Sequence, residues 1–195
     1  MGKRQTDGEQ RPGERIIAAA RQLFCRDGIH ATGIDRILAA AGTAKMTLYN
    51  QFGSKEALVE AVLRRESEEW RSWLRAALRA AGDTPRAQLE NLFVVLRQWF
   101  ESEDYSGCAL MNAVAEYPKG DPRIRALALE HKAGVGAILT ELIAEAGCAR
   151  PAELLNEMAI LLDGAIIAAL IAGDPAAADA AGRIARTVIA SHLED

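Results

Sequence analysis

The stretch Ile34-Asp35-Arg36-Ile37-Leu38-Ala39-Ala40-Ala41-Gly42-Thr43-Ala44-Lys45-Met46-Thr47-Leu48-Tyr49-Asn50-Gln51-Phe52 decides how the chain is read. Its first eight residues put Ile34, Ile37, Leu38 and Ala41 on one face, the spacing of an amphipathic helix. Gly42-Thr43 makes a tight turn, and residues 44–51 form a second short helix. Two short helices joined by a Gly-containing turn make a helix-turn-helix. With Leu48 facing the core and about 100° of rotation per residue, Phe52 and Ala44 fall on the buried side. Thr43, Met46 and Asn50 then point away, with Thr47 and Tyr49 flanking that outer face.

A short helix with a buried Leu/Phe side and a small polar outer side fits the major groove of double-stranded DNA. Asn50 can pair bidentately with adenine, and the Met46 side chain or the Thr47 methyl can touch a thymine methyl. Lys55 opens the next helix, where an ammonium group and free backbone N–H groups together hold a phosphate. The Tyr49 hydroxyl can do the same. Geometry alone also allows an ordinary surface pair of helices.

Working outward, the 195 residues are 50% apolar and 26% charged, and Ala, Leu, Arg and Glu dominate. That composition predicts a globular, all-α chain. Residues 1–13 read as a flexible arm, 14–53 as the helix-turn-helix domain, and 54–195 as a helical ligand-binding and dimerisation domain. The net charge of −4 is uneven. Met1 to Arg65 carries 11 Lys/Arg against 7 Asp/Glu, and the remainder 12 against 20, a basic head on an acidic body. No apolar run follows Lys3-Arg4, so no secretory signal is expected. Met158 to Ala172, interrupted by Asp163 and Gly164, reads as too short to span a membrane. Cys25, Cys108 and Cys148 lack metal-ligand spacing, which suits a reducing cytoplasm.

Helix punctuation predicts about nine helices. The first runs from Glu14 to Arg26, the second over 34–41 and the third over 44–51. Ser54 caps a long fourth helix reaching Ala80, and Pro85 starts a fifth with the stripe Leu89, Leu92, Phe93, Leu96, Trp99, Phe100. A short sixth follows Gly107, a seventh runs from Pro122 to Gly147, and an eighth from Pro151 to Ala172. Asp174 caps a ninth with Pro175 at its first position.

The run from Gly28 to Leu58 closely resembles the N-terminal domain of the TetR family of transcriptional regulators. It has the Gly turn, Thr47-Leu48-Tyr49, Phe52, then Ser54-Lys55-Glu56 and Leu58 in order and register. The resemblance implies a nine-helix repressor that binds a palindromic operator as a homodimer and is released by a small-molecule effector. Carried over by position, Thr43, Lys45, Thr47, Tyr49, Asn50 and Lys55 fall where the family contacts DNA. Ile34-Asp35-Arg36 departs from the frequent Thr-plus-basic pattern, which weakens a phosphate role for Arg36. Gln51 stands where His is frequent.

The last two helices are apolar around much of their circumference, so Leu155, Met158, Leu162, Ile166, Ile184 and Val188 are expected at a dimer interface. For the effector, Trp99, Cys108, Met111, Asn112 and His131 are the candidate lining, with Glu116 on the same short helix. A lone His on the stripe of Ile124, Leu127, Val135, Ile138 and Leu142 also suits a satisfied core residue. Cys108 at a helix start could instead carry a redox- or electrophile-responsive thiol. No catalytic set, metal site or cofactor is expected: His30, His131 and His192 are scattered and no phosphate-binding Gly motif occurs.

Overall fold

The computed structural model describes residues 11–118 and 121–193. Its helices are α1 (Pro12–Asp27), α2 (Ile34–Ala41), α3 (Lys45–Phe52), α4 (Lys55–Ala81), α5 (Pro85–Glu90), α6 (Leu92–Phe100), α7 (Ala109–Glu116), α8 (Pro122–Glu145), α9 (Pro151–Ala172) and α10 (Ala177–Leu193). α5 and α6 are one helix kinked at Asn91. The Asn91 N–H donates to Ala87 O and the Val95 N–H to Asn91 O, so the helical ladder runs through. The Asn91 side chain meanwhile turns back to donate to Ala81 O at 2.7 Å. Counted so, the described residues form nine helices.

The first and last helices start away from expectation. α1 starts at Pro12, whose missing N–H costs nothing in a first turn; residues 1–10 of the expected arm lie outside the described residues. Asp174 does cap the chain, but its Oδ1 accepts from the Ala176 N–H at 2.8 Å and folds a separate turn. α10 therefore begins two residues after Pro175.

The head packs α1, α2 and α3 against the start of α4, burying Ile16, Ala20, Ile37, Leu48 and Leu58. Ser54 caps α4 by accepting from the Ala57 N–H at 3.1 Å. With 27 residues, α4 runs on into the body, where Leu74 and Leu78 are buried among later helices.

In the body, α9 packs on α6, α8 and α10. Asp163 and Gly164 do not interrupt it: Asp163 pairs with Lys132 of α8, and the helix continues for 22 residues. With a mean hydropathy of 2.0 it is long and apolar enough to cross a membrane, contrary to the sequence expectation. In the fold its row Leu154, Met158, Leu162, Ile166 and Ala169 is buried against neighbouring helices.

Trp70, Trp73, Trp99, Phe100 and Tyr105 form one aromatic cluster, with ring centroids 5.0–6.2 Å apart. The Tyr105 hydroxyl donates to Ile166 O at 2.7 Å, and burial pushes its phenol up to about 12. His131 is buried beside Trp70, with Nδ1 2.9 Å from Ser67 Oγ. Burial first, then Arg71 and Lys132, lowers its imidazole to about 4.

The folded protein thus holds His131 neutral where the unfolded chain, with an ordinary imidazole, takes up a proton. Stability is complete above the ordinary value near 6.5 and falls as pH drops from there toward 4. The expected loss across that window is about 2–3 kcal/mol in urea unfolding. His131→Gln should flatten this dependence; an unchanged pH profile in the variant would show that other groups govern it.

Candidate nucleic-acid interface

The recognition unit is set by its turn. α2 ends at Gly42, whose backbone is left-handed (φ 60°, ψ 42°), and the Thr43 N–H donates back to Leu38 O at 3.1 Å. This C-terminal motif favours glycine and delivers α3 across α2 within two residues. α3 has no side-chain cap, and its anchor is Leu48, which is fully buried.

With Leu48 inward, Lys45, Met46, Tyr49 and Asn50 share an exposed face, and Thr47 sits half-buried at its edge. Met46 is 70% exposed, so its thioether side chain is open to a partner surface. An exposed amide, a phenol, an ammonium and a thioether together offer base-edge hydrogen bonding, methyl contact and phosphate pairing.

Two sequence expectations fail at the start of α3. Thr43 Oγ1 is buried, with no hydrogen-bond partner among the described residues, instead of facing outward. Ala44 is exposed instead of core-facing. Both have one cause: α3 begins at Lys45, and Ala44 is extended (φ −81°, ψ 151°), so helical phase does not reach back to either residue. Lys55 also differs. It is half-buried, and its Nζ donates to Ile29 O at 2.8 Å, closing the turn after α1 before it meets any phosphate. Arg36 is held by Asp27 at 2.8 Å, in keeping with its weaker case.

Four of the five candidate effector residues lie on helices of the body, and Cys108 stands just before α7. Cys108 Sγ is 3.9 Å from His131 Nε2, and Trp99 sits in the aromatic cluster. Met111 packs half-buried on the core, and Asn112 Nδ2 donates to Ser106 O at 2.8 Å. A groove of about 550 Å³ opens elsewhere, between α8 and α9, over Ala133, Gly136, Ala137, Leu155 and Ala159, and none of the five lines it. Cys108 does precede α7, and the N–H groups of Leu110 and Met111 pull its thiol down. Burial outweighs them and leaves it above its ordinary value. Cys25 is exposed and Cys148 half-buried. Among the described residues, no group of three or more His, Cys, Asp or Glu could hold a metal ion.

The expected interface row also needs redrawing. Met158, Leu162 and Ile166 are buried by the protomer's own helices, so they are core residues; Leu155 and Val188 are half-buried. Ile184 is 52% exposed. The opposite face of α9, outside the expected row, carries Ile160 (71% exposed), Gly164, Ile167 and Ile171 (80% exposed) at helical spacing.

Comparisons with known proteins agree with this geometry. Residues 16–62, the head and the start of α4, match the bacterial regulatory proteins of the tetR family. The HTH-type transcriptional activator FasR of Mycolicibacterium smegmatis is 40% identical over 88 residues, 44% of this chain and only 40% of that relative. The HTH-type transcriptional regulator YjdC of Escherichia coli is 23% identical over 176 residues, 90% of this chain and 92% of that one. A solved TetR-family transcriptional regulator from Streptomyces coelicolor superposes with a TM-score of 0.84 at 28% identity, covering 93% of this chain and 96% of that one. The reduced form of E. coli NemR shares the fold, with a TM-score of 0.81 at 21% identity, covering 90% and 95%. With its Gly42 turn and Leu48-anchored third helix, its matching head and its whole-length structural kinship, the chain belongs to the TetR family of bacterial transcriptional regulators.

Proposed function

We propose that the protein is a repressor that binds a palindromic operator as a homodimer and leaves it when a small molecule occupies the body. The observation that carries the reading is the exposed face of α3, where Lys45, Met46, Tyr49 and Asn50 stand together. Asn50 and Met46, with Thr47 at the edge, read bases; Tyr49 and Lys45 hold phosphates. Repression needs only occupancy of a promoter, whereas activation needs a further surface for polymerase. The FasR relative is named an activator, so a reporter fusion decides the direction of the effect.

A two-fold operator needs two heads. The ridge Ile160, Gly164, Ile167 and Ile171, with Ile184 of α10, supplies an apolar face that water leaves uncompensated, and Gly164 permits close approach. Val188 lies one helical turn from Ile184, whereas Leu155 lines the groove between α8 and α9. The effector region is the aromatic body around Trp70, Trp99, Cys108 and His131, where Trp70 Nε1 is buried without a hydrogen-bond partner among the described residues. An apolar or aromatic effector with one hydrogen-bond acceptor suits these groups. A second reading, electrophile sensing at Cys108, has in its favour the 3.9 Å approach to His131 Nε2; the raised thiol argues against it.

Asn50→Ala or Met46→Ala should weaken binding to the operator beside the protein's own gene by about 10- to 100-fold, with binding to unrelated duplex unchanged. Fluorescence anisotropy measures both, and wild-type operator affinity in the two variants would sink the assignment of α3. Ile167→Asp should yield a monomer in analytical ultracentrifugation and lose operator binding. A dimer of unchanged stability would move the interface off α9.

A further inference from the structure

We propose that Glu116, the last residue of α7, is a positioning residue for DNA recognition: it fixes the reading head on the body through the turn after α1. The inference rests on the DNA-binding reading above but uses residues outside the recognition helix. Glu116 Oε2 accepts from the Ile29 N–H at 2.7 Å and the His30 N–H at 3.2 Å, and lies 3.7 Å from His30 Nδ1. The carboxylate thus caps two successive backbone donors that belong to neither α1 nor α2.

The turn is built to receive it. Gly28 has φ +86°, a conformation that L side chains rarely adopt, and a Cβ there would sit 3.1 Å from Glu116 Oε2. Glycine suits the turn for its backbone, and its missing Cβ leaves the carboxylate room that any side chain would crowd by a few tenths of an ångström. Thr32, fully buried, donates to Gly28 O at 2.7 Å and closes the turn from within. From the other side Lys55 Nζ donates to Ile29 O at 2.8 Å. Ile29 is thus held by its N–H from α7, by its carbonyl from α4, and by its buried side chain in the core. The Tyr117 ring meets His30 edge-on at 4.7 Å beside this clamp.

Hydrogen bonds to an ionised acceptor are about twice as strong as neutral ones. Two of them, the one from Ile29 partly buried, make Glu116 a polar tie between a body helix and the segment that leads into α2 and α3. A palindromic operator presents its half-sites at a set spacing of about 34–36 Å, so a head free to swivel loses affinity in restoring its angle. Such a loss falls on specific binding. Non-specific binding, which is electrostatic, tolerates variable head angles.

The test uses the full-length protein as wild type, Glu116→Ala and Glu116→Gln. Operator and unrelated duplex are titrated by anisotropy, and amide exchange is followed at Ile29 and His30. Glu116→Ala should weaken operator binding about tenfold or more, leave unrelated duplex within about threefold, and speed exchange at both amides. Glu116→Gln keeps an acceptor oxygen and should stay nearer wild type on all three measurements. Wild-type operator affinity in Glu116→Ala overturns the proposal, and so does an equal loss on both duplexes in a folded variant, which marks a merely structural role. If Glu116→Ala does not fold, Glu116→Ser, whose side chain is too short to reach the turn, decides: faster exchange at Ile29 and His30 with a selective operator loss supports the tie, and no change in either refutes it. A wild-type protein that binds no DNA while its Ile29 and His30 amides stay protected defeats the DNA-binding reading, and with it the recognition role, but leaves the clamp standing.

Discussion

Burial of Leu48 is the constraint on which the reading face depends. An eight-residue helix in water does not recover the cost of its own nucleation, and α3 lacks even a side-chain N-cap. It exists because Leu48 is withdrawn from water where α1, α2 and α4 meet α3. One buried side chain on so short a helix leaves most of its circumference open. Lys45, Met46, Tyr49 and Asn50 are therefore displayed without having to satisfy any packing requirement of their own. The tight Gly42 turn matters for the same reason, since it orients a helix that has no internal means of holding its direction.

The long α4 makes that display part of a larger body. Its first half closes the head core through Leu58, Val59 and Val62, and its second half closes the body core through Leu74 and Leu78. Exposed pairs such as Arg65 with Glu14 and Arg21 with Glu69 bind α1 to α4, each contributing at most about 1 kcal/mol. A continuous helix is stiff along its axis but does not by itself fix how a neighbouring three-helix unit is tilted. The hydrogen-bonded turn at residues 28–32, held from α4 and from α7, supplies that missing restraint.

The body solves a different problem. His131, Ser67 and Cys108 bring polar atoms into an apolar interior, and each finds a neighbour there. Among the described residues the indole N–H of Trp70 finds no acceptor, which sets the aromatic cluster apart from ordinary core packing. α9 illustrates the second difficulty, a helix apolar on two faces. Its own chain covers the face of Met158, Leu162 and Ile166 and leaves that of Ile160, Ile167 and Ile171 to water.

The sequence by itself determined the helical class, nearly every helix boundary, the Gly42 turn and the inward register of Leu48. These are local properties, written in periodicity, capping residues and glycine within a few positions of one another. The outer face of α3 was legible for the same reason wherever helical phase applied, at Met46 and Asn50, and failed at Thr43, which lies before the helix starts. Tertiary structure decided the rest. Periodicity identifies two apolar faces on α9 but not which one the protomer covers, because that depends on where α6, α8 and α10 come to lie. Nor can spacing reveal that Lys55 turns to Ile29, 26 positions away, or that Glu116 reaches the same turn across 87. Those pairings exist only once the folded chain has excluded water from around the backbone groups they satisfy.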